Sequence, residues 1–361
     1  MQLFAKKFFL EEFPMLTHFF NLNMGGGRRR RSLLAYTSFL LFSLALFPSC
    51  PNKPKSTVVG TVIELGEWPQ TVLPESSTVT IDETPENSRT QGMFTYYQGS
   101  DGAWYYKGTE NASNTDIKYS DSSYAKTGGT DTRWFKVEPI QWRILTDNYN
   151  GKKLIVAEKG LYMEKFFDDN TLKRERGTGS SKKTIYPNNY AESRIRAFLN
   201  GLSYMTTITT EPGIYDSDSS FVGKGFLQTA FNNDDLGKII LTSVDNSIHQ
   251  TDNSYYENDP TNSANDVSKY ICENTTDKIF LLSFREAQQF GFNEGVKNGA
   301  VDFAYAQGFE NEQNNIRTLL RSPCSDYLWG ENHTYAISYK GIVPLVSLKW
   351  AEAILPALCI E

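Results

Sequence analysis

The stretch FKVEPIQWRILTDNYNGKKLIVAEKGL, Phe135 to Leu161, decides the fold class. Its two arms, FKVEPIQWRIL and KKLIVAEKGL, are rich in β-branched and aromatic residues, and TDNYNG lies between them. The Asn150-Gly151 pair suits a tight hairpin, because both residues adopt positive φ at little cost. Trp142 and Arg143 are neighbours on the first arm and therefore face opposite sides of the sheet. Trp142 is assigned to the core. Arg143, Arg194, Arg196 and Arg321 are expected to pair with Asp277, Glu158 or Glu286, fixing strands to helices, rather than to converge on a ligand carboxylate.

Working outward, TVVGTVIELGEWPQTVL (57–73) carries one or two strands and a turn at LGEWPQ. GMFTYYQGSDGAWYYKGTE (92–110) makes a hairpin around GSDG, inside a polar insertion at about 74–132. The period changes in NNYAESRIRAFLNGLSYM: Ile195, Phe198, Leu199 and Leu202 recur at helical spacing, Asn188 or Asn189 can cap, and Gly201 lies near the end. A second helix is expected over GFLQTAFNNDDLGKII, and a strand runs into a third after Ser283. Short strands close the chain in IRTLLRSP, TYAISYKG, IVPLVSL and ILPALCIE. The predicted class is α+β, with a mixed or antiparallel sheet and two or three short helices.

The amino end has another character. Arg28 to Arg31 precede fifteen residues, Leu33 to Phe47, whose only polar members are Tyr36, Thr37, Ser38 and Ser43. That run is short of the roughly 20 residues a spanning helix needs and suits the apolar region of a secretory signal. Ser49 followed by Cys50 resembles the lipobox of bacterial lipoproteins, with Phe47 where leucine is usual. Residues 1–49 are thus expected to be a signal peptide, its true start Met24, and 50–57 a tether lipidated at Cys50. Residues 58–361 are expected to form a single exported domain anchored to a bacterial membrane by lipid.

Six basic residues (Lys6, Lys7, Arg28 to Arg31) and two acidic ones (Glu11, Glu12) leave with the first 49, so 30 Lys and Arg face 40 Asp and Glu in the remainder. A net charge of −10 argues against nucleic acid and against docking on anionic lipid headgroups. His249 and His333 are the two histidines left, too few for a triad or a metal cluster. The acidic pairs Asp168-Asp169, Asp216/Asp218 and Asp234-Asp235 follow no calcium-loop spacing and are assigned to solvated loops. No catalytic set, metal site or cofactor is expected.

In order, LGEWPQT, VEPIQWRIL, KKLIVAEKGL, YAESRIRAFLN, TTDKIFLLSFREA, TLLRSP and ILPALCIE resemble a bacterial domain family of unknown function, frequent in treponeme-like lipoproteins and Gram-positive surface proteins. The resemblance covers about Val58 to Glu361. Its segment order implies, by analogy, a C-type-lectin-like or formylglycine-generating-enzyme-like fold. Leu355 stands before Pro356 where the family often has arginine.

The functional expectation is a surface binding or adhesion module for a glycan, peptide or host protein. The candidate contacts are Trp104, Tyr105, Tyr106, Tyr327, Trp329 and Tyr335, in turn-rich segments where rigid rings supply contact area. The alternatives are an enzyme, of formylglycine-generating or glycan-acting type, and a purely structural envelope protein. Cys272 and Cys324 are candidates for a disulfide outside the cytoplasm.

Overall fold

In the computed structural model the described residues run from 59 to 361, apart from 113–115, 170, 172, 177, 205–218, 262–265, 296–298, 309–315 and 325–329. The expected signal peptide and tether, with Cys50, lie outside them.

The Phe135 to Leu161 stretch forms strands β5 (Thr132–Tyr149) and β6 (Lys152–Ala157). They are joined at Asn150 and Gly151, whose φ angles of 53° and 78° give the two-residue hairpin that Asn-Gly favours. β5 is long enough to serve three partners. β1 (Val62–Val72) lies antiparallel along one side; β4 (Trp104–Thr109) and then β6 share the other. β2 (Ser88–Gln91) and β3 (Phe94–Gln98) continue beyond β4, so the GSDG hairpin is present and the polar insertion contributes three strands to the main sheet.

The last strand, Ala357–Ile360, pairs with β6 and also receives Ile239–Ile240 and Ile279–Phe280, completing nine strands. A second sheet of five strands runs Gly341–Ser347, His333–Ser338, Thr318–Pro323, Ala351–Ile354 and β7 (Tyr162–Lys165). It is mixed, since Thr318 pairs parallel to Ala353 while its other pairings are antiparallel. The closing segment expected as one strand is divided between the sheets at Leu355-Pro356. Proline has no donor to continue a ladder; its carbonyl accepts from Ala157 N at 3.0 Å.

Both inward tryptophans satisfy their indole N–H groups as burial demands. Trp142 donates to Leu65 O and Trp68 to Leu161 O, each at 2.8 Å, and both are fully buried. Trp68 also meets Phe94 and Phe226 at centroid separations of 5.1 and 4.9 Å. Gly66 allows this approach: its φ is +70°, and an added Cβ would stand 2.6 Å from Ala230 O.

The amphipathic helix spans Arg194–Asn200 and ends on Gly201 at φ 66°. Its cap is Ser193, whose hydroxyl accepts from Arg196 N; Asn189 caps the preceding 3-10 turn instead. The second predicted helix is two, Phe226–Ala230 and Asn233–Lys238, because the Asn232 side chain starts a new one by accepting from Asp235 N. With Ser254–Asn258, Phe284–Gln289 and Asp302–Ala306, the described residues hold six short α-helices where two or three were expected.

The arginine pairs hold these elements together. Arg143 bonds Glu158, Arg196 bonds Asp277 and Arg321 bonds Glu286, while Arg194 takes Glu164 and Asp168.

Candidate functional site: a polar groove along the main sheet

Ile140, Trp142 and Ile144 of β5 are buried, whereas Gln141 and Arg143 are exposed on the opposite face. On that face lie three adjoining depressions. The central one, of about 430 Å³, is lined by Glu64, Gln70 and Thr71 of β1, Glu138 and Gln141 of β5, and Lys159. Glu158 joins it to a second of about 230 Å³ that is bounded by Arg143, Phe290 and Phe292. Gln70, Thr71 and Lys159 join it to a third of about 220 Å³ that reaches Lys118, Tyr119 and Tyr305. Shared lining residues make the three one groove, within the size range of ligand sites.

Its floor is held by bonds between its own side chains. Thr71 donates to Glu138 Oε2 from its hydroxyl at 2.6 Å and from its amide at 3.2 Å. Gln70 Nε2 donates to the carbonyls of Glu138 and Pro139 at 3.0 and 2.9 Å. Arg143 grips Glu158 through Nε at 2.5 Å and Nη2 at 2.8 Å, and Glu158 holds the guanidinium pKa above its ordinary value. At the far end Asp302, buried, accepts from Val72 N, Ser120 N and the Ser120 hydroxyl. Carboxylates, amides, a hydroxyl and an ammonium group thus line a trough with aromatic rings at both ends. Such a set is chemically able to hydrogen-bond polar groups; no histidine or cysteine is among the described residues that line it.

Of the aromatic residues named from sequence, the four described ones, Trp104, Tyr105, Tyr106 and Tyr335, line none of these depressions. Tyr105 is buried and its hydroxyl donates to Asp101 Oδ2 at 2.8 Å, closing its own hairpin turn. Tyr106 packs into the core on Phe94, 4.1 Å between centroids, and on Phe303. Trp104 is half-buried with the Arg89 guanidinium 4.8 Å above its ring. Tyr335 is buried against Phe284 at 4.6 Å. These rings pack within the fold: β4 turns successive side chains to opposite faces, burying Tyr105 on one and half-burying Trp104 and Tyr106 on the other. Tyr327 and Trp329 lie outside the described residues.

Cys272 and Cys324 are thiols in this structure rather than a disulfide. Burial pushes the Cys272 thiol up to about 11, the opposite direction from an activated thiolate. Among the described residues no group of three or more His, Cys, Asp or Glu side chains could hold a metal ion. His249 is exposed and His333 half-buried. Asp168 serves Arg194 and Tyr204, while Asp234 and Asp235 sit in a helical first turn. Asp216 and Asp218 lie outside the described residues.

Sequence reasoning missed Gln70, Thr71, Glu138 and Lys159. The signal available was the polar ends of two quoted motifs, EWPQT and VEPIQ, which the β1–β5 register places side by side, with Trp68 opposite Glu138 and Glu67 opposite Pro139.

Among known proteins, a family described as "Domain of unknown function (DUF6273)" has a model that matches residues 142–361. No curated protein and no solved structure matches. The match begins within β5, so β1 to β4, and with them Gln70, Thr71 and Glu138, precede it while pairing with it in one sheet.

Proposed function

The chain belongs to the DUF6273 family, and on that premise we propose that it is an exported binding module whose groove takes an extended, hydroxyl-rich ligand, a glycan chain. The groove carries this reading. It runs across three adjoining depressions, and its carboxylates, side-chain amides and lysines are groups that bond sugar hydroxyls in both donor and acceptor senses. Phe290 and Phe292 at one end, with Tyr305 at the other, are half-buried rings that could meet sugar rings. The Thr71, Gln70 and Arg143 bonds fix the floor beforehand, which reduces the ordering cost of binding.

The lipid anchor at Cys50, a bacterial surface position and kinship with treponeme-like lipoproteins belong to the same proposal. They rest on the four arginines, the fifteen-residue apolar run and the Ser49-Cys50 junction. The finer fold reading, C-type-lectin-like, has support in the two sheets and in the terminal strand that returns to pair with β6.

A glycan array and calorimetry on the chain from residue 51 test the reading. Glu138→Ala and Lys159→Ala should each weaken binding about tenfold, the loss of one or two polar contacts at about 1.4 kcal/mol per decade. Trp104→Ala, outside the groove, should leave it unchanged. Silence across the array, or affinity untouched by both groove variants, overturns it.

A further inference from the structure

Sharing no lining residue with the groove, a small polar chamber borders Arg321. Its wall includes Asn188, Tyr190, Asn246, Cys272 and Arg321, and the space open to a water-sized sphere is about 10 Å³. That is room for about one water molecule.

Four polar atoms of this wall are buried with bonding capacity unspent: Asn188 Oδ1, Asn246 Oδ1 and Arg321 Nε, and Tyr190 Oη, which lies by the Leu281 backbone and keeps its proton to donate. Each belongs to a residue no more than 8% exposed. The rest of each polar group is committed. Asn188 Nδ2 donates to Gly330 O and His333 O, and Asn246 Nδ2 to Glu273 O and the Thr275 hydroxyl. The terminal nitrogens of Arg321 are taken by Glu286, Leu281 O and Asp245 O. Of the other polar side chains here, Ser322 donates to Gln250 O and Thr251 to Pro323 O.

The unspent set is therefore two amide oxygens that accept, one guanidinium N–H that donates, and one phenol that can donate. A water molecule offers the complement, two protons and two lone pairs. Leaving such atoms unbonded in the interior is costly, and one guest of that size has the right donors and acceptors for all four.

We infer that this chamber is a binding site for a single resident water, which accepts from Arg321 Nε and Tyr190 Oη and donates to Asn188 Oδ1 and Asn246 Oδ1. The water ties together three segments distant in sequence: the stretch before the Arg194–Asn200 helix, the loop after Thr242–Val244, and the Thr318–Pro323 strand. Its route to solvent passes Ser247 and Cys272, which border both the chamber and an open depression beside Lys183 and Glu273.

Two measurements test this. A crystal structure of the chain from residue 51 should show one peak within about 2.7 to 3.2 Å of all four atoms. An empty chamber, a larger or charged occupant, or a collapse that bonds Arg321 Nε directly to an asparagine overturns the inference. In solution, oxygen-17 relaxation dispersion counts long-lived internal waters. Tyr190→Phe, which keeps the ring and removes one bond, should lose one such water or shorten its residence at least tenfold while the circular dichroism stays native. An unchanged dispersion overturns the inference independently of the crystal.

Discussion

Arg196 and Asp277, 81 residues apart, form a forked ion pair: Nε lies 2.9 and 3.1 Å from the two carboxylate oxygens, and Nη2 2.8 Å from Oδ1. The Asp277 side chain is 1% exposed. The pair fastens the Arg194–Asn200 helix to the Thr275–Asp277 strand, and the Thr275 hydroxyl donates to the same carboxylate at 2.7 Å. Removing one member of a buried pair strands the other charge, whereas an exposed pair contributes little. Asp277→Ala should therefore cost about 3 to 5 kcal/mol. Glu158→Ala, which frees the 46% exposed Arg143, should cost about 1 kcal/mol or less. Urea melts of both variants check the contrast, and equal losses would refute it.

Stability should carry an acid limb set by Glu286. Burial alone would raise its pKa, but the Arg321 charge and hydrogen bonds from Arg321, Tyr149 and Ser283 outweigh burial and hold it below its usual 4.5. A carboxyl with a lowered native pKa stabilises the fold above its unfolded pKa, and that stability is lost as pH falls through the native value. Wild type should accordingly weaken on acidification below about 4.5. Glu286→Gln should be less stable at neutral pH, since Arg321 loses its countercharge, and should show a shallower decline between pH 5 and 3. Parallel declines in denaturant midpoint would count against this assignment.

Trp142→Ala removes a fully buried indole together with its bond to Leu65 O. The expected loss is about 3 to 5 kcal/mol, from transfer and cavity terms combined. A thermal melt coinciding with wild type would contradict the core placement.

Acylation at Cys50 is checked by metabolic labelling with a palmitate analogue. Label should attach to the wild-type chain and be missing from Cys50→Ala; label retained in the variant defeats the lipoprotein reading.

The residue pattern by itself determined the strands of the Phe135 to Leu161 hairpin, the Asn150-Gly151 turn, the inward Trp142 and the strand-to-helix passage at Ser283. These are local properties, in which period-two alternation and turn chemistry act over a few residues. The carboxylates that meet Arg143, Arg196 and Arg321 were legible as well, whereas the Glu164 and Asp168 partners of Arg194 were not. Where each helix began was less legible: several Asn and Ser side chains could cap, and packing selected Ser193 and Asn232. The division of the closing segment at Pro356 depended on which sheet each half met.

The site was decided by tertiary structure alone. Composition shows that Tyr105, Tyr106 and Tyr335 are aromatic, but not which side of a strand the core will cover, and the core took them. The groove joins β1, β5, Lys159 and Phe290 only after strand register has set Trp68 opposite Glu138. The chamber bordering Arg321 likewise collects residues from 188 to 321. A short motif encodes its own backbone preference; a cavity is the space left where several such segments pack, and only their contacts at long sequence separation define it.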